Sequence, residues 1–408
     1  MSLSSSLYAG VGGLLAYGDA MNVIGDNIAN VNTVGFKGSR AIFGDILAGS
    51  ISSTKQIGRG STIREVSADI SNGSLQSTNN STDVALQGSG YFIMGDQNSR
   101  FYTRAGQFTL NEEGLLQGAT GLIAQGFQLD RNGNRTGSVT DINLAGVQSA
   151  PRATATFTLG ANLDAAASAA TTFQSTVNVN NSLGELVTLG ITFTKSATAG
   201  TWTFATSATT TTGTALSVAN GTGTLTFDSS GTLTSPTTDP SFTISGFTSG
   251  AADLTTAWDI VDANGVTEGT LTNYASPSVT NSLTQDGFAT GVLKGITIDS
   301  TGVIVGLFSN GQTQGLMQLA VADFLSPWGL TRQGNTLYSE SANSGQPIFG
   351  TAGTGGFGTI VSSSLEQSNI DLGTEFVNLI QTQRAYQANS RIITSVDEMM
   401  AEAVNLKR

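Results

Sequence analysis

Apolar residues recur every three or four positions at both ends of the chain, and this spacing predicts an amphipathic helix at each end. The N-terminal helix is predicted over 1–28, with Gly10 as its weak point, and its apolar positions are Leu3, Leu7, Leu14, Tyr17, Met21, Ile24 and Ile28. The C-terminal helix is predicted to start at a capping box formed by Ser368 and Asp371, and its apolar positions are Leu372, Phe376, Leu379, Tyr386, Ile393, Val396 and Met400. A single stripe of this kind most often packs on its own domain. Two stripes at opposite ends favour pairing with each other, or with other copies, in a coiled-coil-like inner domain.

Between the two helices the pattern alternates with a period of two residues, which predicts β-strands. Segments 90–116 and 295–324 contain β-branched and apolar runs that are broken by glycine-rich turns. Asn310-Gly311 is a strong hairpin signal, and further turns are expected at Asn132-Gly133 and Asn264-Gly265. We therefore expect an inner β-domain that is built from two parts of the chain, 72–146 and 285–361.

Residues 147–284 differ from their surroundings because they are rich in threonine, whose branched side chain suits solvated strands. This threonine-rich composition predicts an inserted outer β-domain. Low-complexity disorder is the alternative, but the segment contains aromatic residues that disordered chains usually lack; these are Phe157, Phe173, Phe193, Trp202, Phe204, Phe227, Phe242, Phe247 and Trp258.

The fold class that follows is mainly β, with two or more antiparallel β-domains nested in the chain and with the terminal helices paired. Linkers are expected at 29–71 and at the start of 362–408.

The amino-acid composition lacks several of the side chains that enzymes most often use in catalysis. None of the 408 residues is cysteine or histidine, so thiolate nucleophiles, imidazole bases and the commonest zinc ligands are missing. The sequence contains no phosphate-binding loop of the Walker type. Glu112 and Glu113 are adjacent, which suits a solvated turn better than an acid–base pair. We expect no enzymatic activity and no cofactor.

One segment bears a partial resemblance to a calcium-binding loop. Asp130, Asn132, Asn134 and Asp141 stand at positions 1, 3, 5 and 12 of such a loop, but Arg135 occupies the sixth position, which requires glycine. A hairpin turn is the favoured interpretation, and no metal site is expected.

Charge and hydropathy limit the partners. The net charge is −12, with only 11% charged residues, which gives no electrostatic basis for binding nucleic acid. No stretch approaches the roughly 20 apolar residues of a membrane span, so no membrane insertion is expected. The first 21 residues lack the basic start and unbroken apolar core of a cleaved signal peptide.

The segment "NVIGDNIANVNTVGFKGSR" (22–40) closely resembles the N-terminal motif shared by bacterial flagellar rod and hook proteins. The segment "SNIDLGTEFVNLIQTQRAYQANSRIITSVDEMM" (368–400) resembles the matching C-terminal end of the same family. Segments 82–94, 104–108 and 327–341 also resemble parts of hook proteins, in the same order. The resemblance covers about 1–146 and 285–408.

The resemblance marks Asn27, Asn30, Asn32, Gly35, Phe36 and Lys37 as motif residues. We expect Asn30 and Asn32 to end the first helix in left-handed conformations, and Gly35 to let the chain turn out toward the β-domains. Phe36 would anchor this exit in apolar contacts.

The resemblance implies a structural subunit that polymerises into the curved flagellar hook, the tube that joins the motor rod to the filament. It also implies an extracellular location in the flagellum, export by the type III apparatus without a cleaved signal, and contacts with the distal rod, hook cap and hook–filament junction proteins. Distal rod proteins of the same family are the nearest alternative, but they are typically shorter and lack a large threonine-rich insertion.

Two other classes of protein stay open at this stage. A secreted β-rich surface adhesin would explain the threonine-rich domain, although it would normally carry a secretion signal and needs no paired terminal helices. An acid-pair glycosidase would require two carboxylates that converge in a cleft. Tubes in electron micrographs of concentrated protein would favour the hook over both.

Overall fold

The computed structural model describes residues 3–47, 58–96, 99–130, 133–262 and 266–405, without the side chains of 3–5, 47, 96 and 403. The chain is mainly β and divides into two compact units. The terminal unit comprises Met1–Gly146, Gly295–Gly306 and Gln314–Arg408, and the inserted unit comprises Val147–Lys294 and Leu307–Thr313.

The terminal unit contains both helices, α1 (Leu3–Ala29) and α2 (Leu372–Asn405). Its first strands are β1 (Ser39–Leu47), β2 (Gly58–Ala68), β3 (Leu75–Ser77), β4 (Val84–Gln87), β5 (Tyr91–Asp96), β6 (Ser99–Thr103), β7 (Phe108–Leu110), β8 (Leu116–Gly118), β9 (Ile123–Leu129) and β10 (Arg135–Asp141).

The strands of the inserted unit follow in chain order. They are β11 (Gln148–Ser149), β12 (Thr156–Asn162), β13 (Thr172–Asn180), β14 (Leu186–Lys195), β15 (Thr201–Thr210), β16 (Ala215–Ala219), β17 (Thr222–Phe227), β18 (Leu233–Ser235), β19 (Ser241–Ser245), β20 (Leu254–Trp258), β21 (Leu271–Thr272) and β22 (Val279–Gln285).

Three strands contribute residues to both units, namely β23 (Gly291–Ile298), β24 (Val303–Phe308) and β25 (Thr313–Leu319). The remaining strands belong to the terminal unit, and a short 3-10 helix at Pro327–Gly329 lies among them. These strands are β26 (Val321–Asp323), β27 (Thr331–Gly334), β28 (Leu337–Ser339), β29 (Ile348–Gly350), β30 (Thr359–Ser362) and β31 (Ser364–Glu366).

The two helices pack against each other, as the sequence predicted. They run antiparallel, because Gly10 lies opposite Ile393 and Gly13 lies opposite Asn389. A methyl group on Gly13 would lie 2.6 Å from Asn389 Oδ1, so glycine is what allows the helices to approach this closely. In the described residues, neither helix is long and apolar enough to cross a membrane.

The predicted linker at 29–71 instead contains a long hairpin, in which β1 pairs antiparallel with β2. This hairpin packs on α1, where the rings of Tyr17 and Phe43 lie 5.1 Å apart. Its strands were missed because none of their described residues is buried: about half are exposed and the rest are only partly buried, although α1 packs on them. The strict alternation that marks a strand on a large core is therefore weak here.

The start of α2 also differs from the prediction. The helix begins after Asp371, whose Oδ1 accepts a hydrogen bond from the Thr374 N–H at 2.7 Å. Asp371 is therefore the N-cap. The Ser368 hydroxyl has no hydrogen-bond partner among the described residues, so the predicted capping box is wrong.

The inserted unit has one large aromatic core. Trp258 is fully buried and contacts the rings of Phe157, Phe193 and Phe204, with ring centroids 5.6–6.3 Å apart. All nine aromatic residues that argued against disorder lie in this core or pack against it. The pairing is antiparallel except for short parallel contacts of β12 with β20 and β21.

Two of the predicted turns are present in the structure. Asn310 and Gly311 connect β24 to β25, and Gly311 has a φ of 77°. Gly133 lies in the turn between β9 and β10, where the Asn134 N–H donates to Asp130 Oδ1. The calcium-like segment is thus a hairpin over its described residues, with Asp141 paired to Gln125 across the strands. Asn132 and the Asn264-Gly265 turn lie outside the described residues.

Candidate assembly site

The N-terminal motif directs the chain from α1 into the β-structure, and Gly35 is its turning point. Gly35 has a φ of +70°, as predicted for a residue that turns the chain. A methyl group at this position would lie 2.5 Å from the Ala105 nitrogen and 2.7 Å from the Arg104 carbonyl carbon. The Gly35 N–H donates to the Glu366 carbonyl at 2.8 Å. Both the backbone conformation and the available space therefore require glycine.

The prediction that Asn30 and Asn32 adopt left-handed conformations is wrong, because neither residue has a positive φ. Asn30 instead extends the last turn of α1: its Nδ2 donates to the Asp26 carbonyl at 2.9 Å, and its Oδ1 accepts from the Thr33 hydroxyl at 3.1 Å. These bonds satisfy the helix end without reversing the backbone. Asn32 is exposed.

Lys37 lies at the centre of the site, and its side chain is buried. Its Nζ donates to Glu366 Oε1 at 2.6 Å and to the Ser71 carbonyl at 2.7 Å. Glu366 is fully buried on β31, and its Oε1 also accepts from the Gly73 N–H at 2.9 Å. Burial is the main cause that lowers the pKa of Lys37, and the nearby Glu366 opposes it. This ion pair joins the N-terminal motif to β31, the strand that precedes α2 in the chain.

Arg104 completes the buried charges. Its Nη1 lies 3.5 Å from Glu366 Oε2, and its Nη2 donates to the Gly88 carbonyl at 2.7 Å. The guanidinium also lies over the ring of Tyr91, 5.2 Å from the centroid. Burial raises the pKa of Tyr91 to about 12. One carboxylate thus lies between two cations in a region with little access to water.

Two asparagines attach the helix ends to the chain beside them. Asn27 is buried, and its amide exchanges two hydrogen bonds with the Ser39 backbone, at 2.7 and 2.9 Å. Asn369 accepts from the Gly38 N–H at 2.9 Å and donates to the Asp69 carbonyl at 3.0 Å. These side-chain amides supply hydrogen bonds to the backbone of Gly38 and Ser39, where the chain that has left α1 enters β1.

The ring of Phe36 is half-buried, and it makes a cation–π contact with Arg332. The Arg332 guanidinium lies 5.7 Å from the ring centroid, and its Nη2 donates to the Lys37 carbonyl at 2.6 Å. Arg332 therefore holds the motif by a cation–π contact and a hydrogen bond together.

The apolar stripes of the helices are only partly covered. Val396 is the buried member of the stripe on α2. The half-buried members on the two helices are Leu7, Leu14, Tyr17, Met21, Ile24, Ile28, Leu379, Tyr386 and Ile393. The exposed members are Leu372, Phe376 and Met400. The side chain of Leu3 lies outside the described residues.

The described residues contain no group of three or more acidic side chains that could hold a metal ion. The charges of Lys37, Arg104 and Glu366 are directed at each other and at backbone carbonyls, while the buried Arg104 Nε has no hydrogen-bond partner among the described residues. These contacts hold the chain that leaves α1 against the chain that leads into α2.

Comparison with known proteins identifies the family. The chain is 33% identical to the flagellar hook protein FlgE of Borreliella burgdorferi, across 98% of this chain and 99% of that protein. It is 32% identical to the flagellar hook protein FlgE of Escherichia coli strain K12, across 97% of this chain and 98% of that protein. The chain belongs to the FlgE flagellar hook protein family.

Models of flagellar protein families match successive parts of this FlgE-family chain. They are the flagella basal body rod protein at 7–37, the flagellar hook protein FlgE/F/G D1 domain at 85–161, the flagellar basal body protein FlaE D2 domain at 148–288 and the flagellar basal body rod FlgEFG protein C-terminal at 361–406. A crystal structure of the Helicobacter pylori flagellar hook protein FlgE2 aligns with a TM-score of 0.44 and 14% identity, over 72% of this chain and all of that chain. The relatives from Borreliella burgdorferi and Escherichia coli are hook proteins over nearly their whole length, which favours the hook over the distal rod and over an adhesin.

Several site residues of this FlgE-family chain were missed from sequence. Arg104 lies in the hook-like segment 104–108, yet nothing local indicates that it is buried. Glu366 is a lone acid in a polar stretch, and its partner Lys37 is 329 residues away. The exposed apolar residues Tyr8, Val11 and Leu15 fall off the predicted stripe but on a second one, at spacings of three and four. A search for two stripes on one helix could have found them.

Proposed function

We propose that this chain polymerises with copies of itself into a curved, flexible tube that transmits motor torque from rod to filament. Its membership of the hook protein family supports this proposal. The observation that carries it is the combination of the buried ion pair of Lys37 and Glu366 with large apolar side chains left exposed on both helices. Exposed apolar surface of this extent marks an interaction site, and a homopolymer would cover it in every subunit.

The regions of the chain then take different roles in the tube. Residues 1–28 and the helix within 362–408 form the inner wall. The inner β-domain consists of 72–146 and 285–361, and the threonine-rich insertion 147–284 forms the outer layer. The assembly residues are the stripe positions of the two helices, together with the motif from Asn27 to Lys37 that sets the angle of exit.

We further propose that the type III apparatus exports the chain without cleaving a signal peptide. In the assembled flagellum it would contact distal rod, hook cap and hook–filament junction proteins at the ends of the tube. Family membership alone supports these partners.

The test is complementation of a bacterial strain from which the corresponding gene has been deleted. We expect the full-length chain to restore motility and to give short curved tubes in electron micrographs of purified basal bodies. Exported chain that restores neither tubes nor motility would contradict the proposal.

A further inference from the structure

The outward face of α1 carries exposed apolar and acidic side chains in a regular order. Six exposed positions recur at spacings of three and four, and they comprise Tyr8, Val11, Leu15, Asp19, Asn22 and Asp26. At about 3.6 residues per turn these six positions lie within an arc of roughly 80°. The stripe is apolar in its first half and acidic in its second. We call it the outer stripe of α1.

The middle of the outward face of α2 carries positive charge, and exposed Glu398 and Glu402 follow farther along the same face. Arg384 and Arg391 are exposed and seven residues apart, which is the same separation as that between Asp19 and Asp26. Seven residues correspond to about 10 Å of helix. Exposed Ile392 and Met399 lie beside the two arginines on the same side of α2.

Within the part of the subunit that the structure describes, these charges have no ionic partners, and Asp26 Oδ1 accepts a hydrogen bond from Asn30 Nδ2 at 3.0 Å. Three ion pairs join described residues, and none of them includes Asp19, Asp26, Arg384 or Arg391. The α1 segment Leu3–Ala29 contains no lysine or arginine, so its acids have no basic neighbour on their own helix.

We propose that the outer stripe of α1 docks antiparallel on α2 of a second copy of this chain, pairing Asp19 with Arg391 and Asp26 with Arg384. This inference rests on the proposed function. In this register Val11 lies level with Met399, and Leu15 lies level with Ser395, beside Ile392. The register therefore forms two ion pairs and brings Val11 to Met399 at the same time, while Tyr8 lies level with exposed Glu402.

The geometry of a tube selects the antiparallel direction. Copies related by a helical operation keep the same direction along the tube axis, so helices that are antiparallel within one copy stay antiparallel between copies. A parallel register, with Asp19 on Arg384 and Leu15 on Ile380, would instead require a two-fold dimer. Within a subunit Gly13 faces Asn389, so the new contact is displaced by seven or eight residues, or about 11 Å.

The first experiment exchanges charges in the gene-deletion strain. We expect D19R and R391D each to lower the number of hooks per cell about tenfold, because each places like charges opposite one another. The double variant D19R/R391D should return to within about twofold of wild type. The matched double variant D19R/R384D should not recover. All these side chains are exposed, so circular dichroism and the amount of exported monomer should stay at wild-type values.

The second experiment uses the absence of cysteine from the chain. Tubes of L15C/S395C, oxidised with copper phenanthroline in air, should give a ladder of covalent multimers, as pairs of thiols lose two electrons to the oxidant and join as disulfides. Tubes of L15C/I380C should stay monomeric on the same gel.

The outcomes separate this contact from the proposed function. Wild-type tubes, together with single charge variants that assemble normally, would overturn the contact and leave the hook assignment standing. A ladder from L15C/I380C alone would overturn the antiparallel register. Failure of the wild-type chain to form any tube would overturn the proposed function, and the contact with it.

Discussion

Gly35 shows how one residue sets the direction of the whole N-terminal helix. Its positive φ and its closeness to the Arg104–Ala105 backbone leave no room for a side chain. We expect Gly35→Ala to lower the free energy of unfolding of the terminal unit by about 1–3 kcal/mol through backbone strain, and to reduce hook assembly. The matched control is Gly25→Ala, because Gly25 lies in α1 with no atom near its added methyl group. It should be neutral or stabilising by up to about 1 kcal/mol. Equal effects in denaturant titrations would contradict this.

The buried ion pair provides a second prediction at the residue scale. Lys37→Met should cost about 3–5 kcal/mol, because Glu366 would keep its buried charge with the more distant Arg104 as its remaining ionic partner among the described residues. Arg152→Met is the control, since the ion pair of Arg152 with Asp286 is largely exposed and should be worth at most about 1 kcal/mol. Hydrogen exchange of β4 and β31 in denaturant would report the loss. Similar small effects of both changes would show that burial of Lys37 contributes little.

At the scale of the elements, the N-cap of α2 makes stability depend on pH. The Thr374 backbone N–H, followed by its side chain, holds the pKa of Asp371 below its ordinary value of 3.8. A lowered pKa in the folded state means that this contribution is present above about pH 4 and is lost as the pH falls through the folded-state pKa. Asp371→Asn keeps a capping side chain that does not titrate. In assembled tubes, the difference in hydrogen-exchange protection of α2 between wild type and Asp371→Asn should therefore shrink between pH 5 and pH 2. A constant difference would exclude Asp371 as the titrating group.

The helices also make a prediction about the free subunit. Much of their apolar surface is uncovered in one chain, and α1 contains five glycines that each weaken a helix by roughly 1 kcal/mol relative to alanine. We expect residues 1–30 and 370–408 to give random-coil NMR signals in the monomer and to become helical and protected in the tube. Protease should trim both ends first and leave a soluble fragment near 72–361 that cannot polymerise. Protected termini in the monomer, or tubes formed by the trimmed fragment, would refute this.

The sequence predicted the elements unevenly, for physical reasons. Both helices were found because a stripe at 3.6-residue spacing extends over many turns. The hairpin of β1 and β2 was missed because a strand covered by one helix buries too little surface to alternate clearly. The site was predicted where the signal is local, as at Gly35, and was missed where two partners lie far apart, as with Lys37 and Glu366. Burial of a charge depends on its partner, and no local pattern reports a partner 329 residues away.

At the scale of the whole molecule, the inserted unit should be removable. Its entry and exit are neighbouring strands, because Gln148 of β11 pairs with Val292 of β23. A short Gly-Ser linker can therefore replace 149–291 without moving the two ends apart. We expect the shortened chain to be exported and to form tubes, because the terminal unit keeps both helices and the Lys37–Glu366 junction. The curvature of the tubes should change, since the proposed outer layer would be missing.

The control for this deletion is the same linker inserted after Gly250, in an exposed turn of the inserted unit. That chain keeps its full outer layer and should form tubes with wild-type curvature. Electron micrographs of isolated hooks measure the curvature, and circular dichroism of the exported monomer checks that the remaining β-structure folds. If the shortened monomer folds and is exported yet forms no tubes, the inserted unit makes the primary contact between subunits. The helices would then be secondary to it, which is the reverse of the order proposed here.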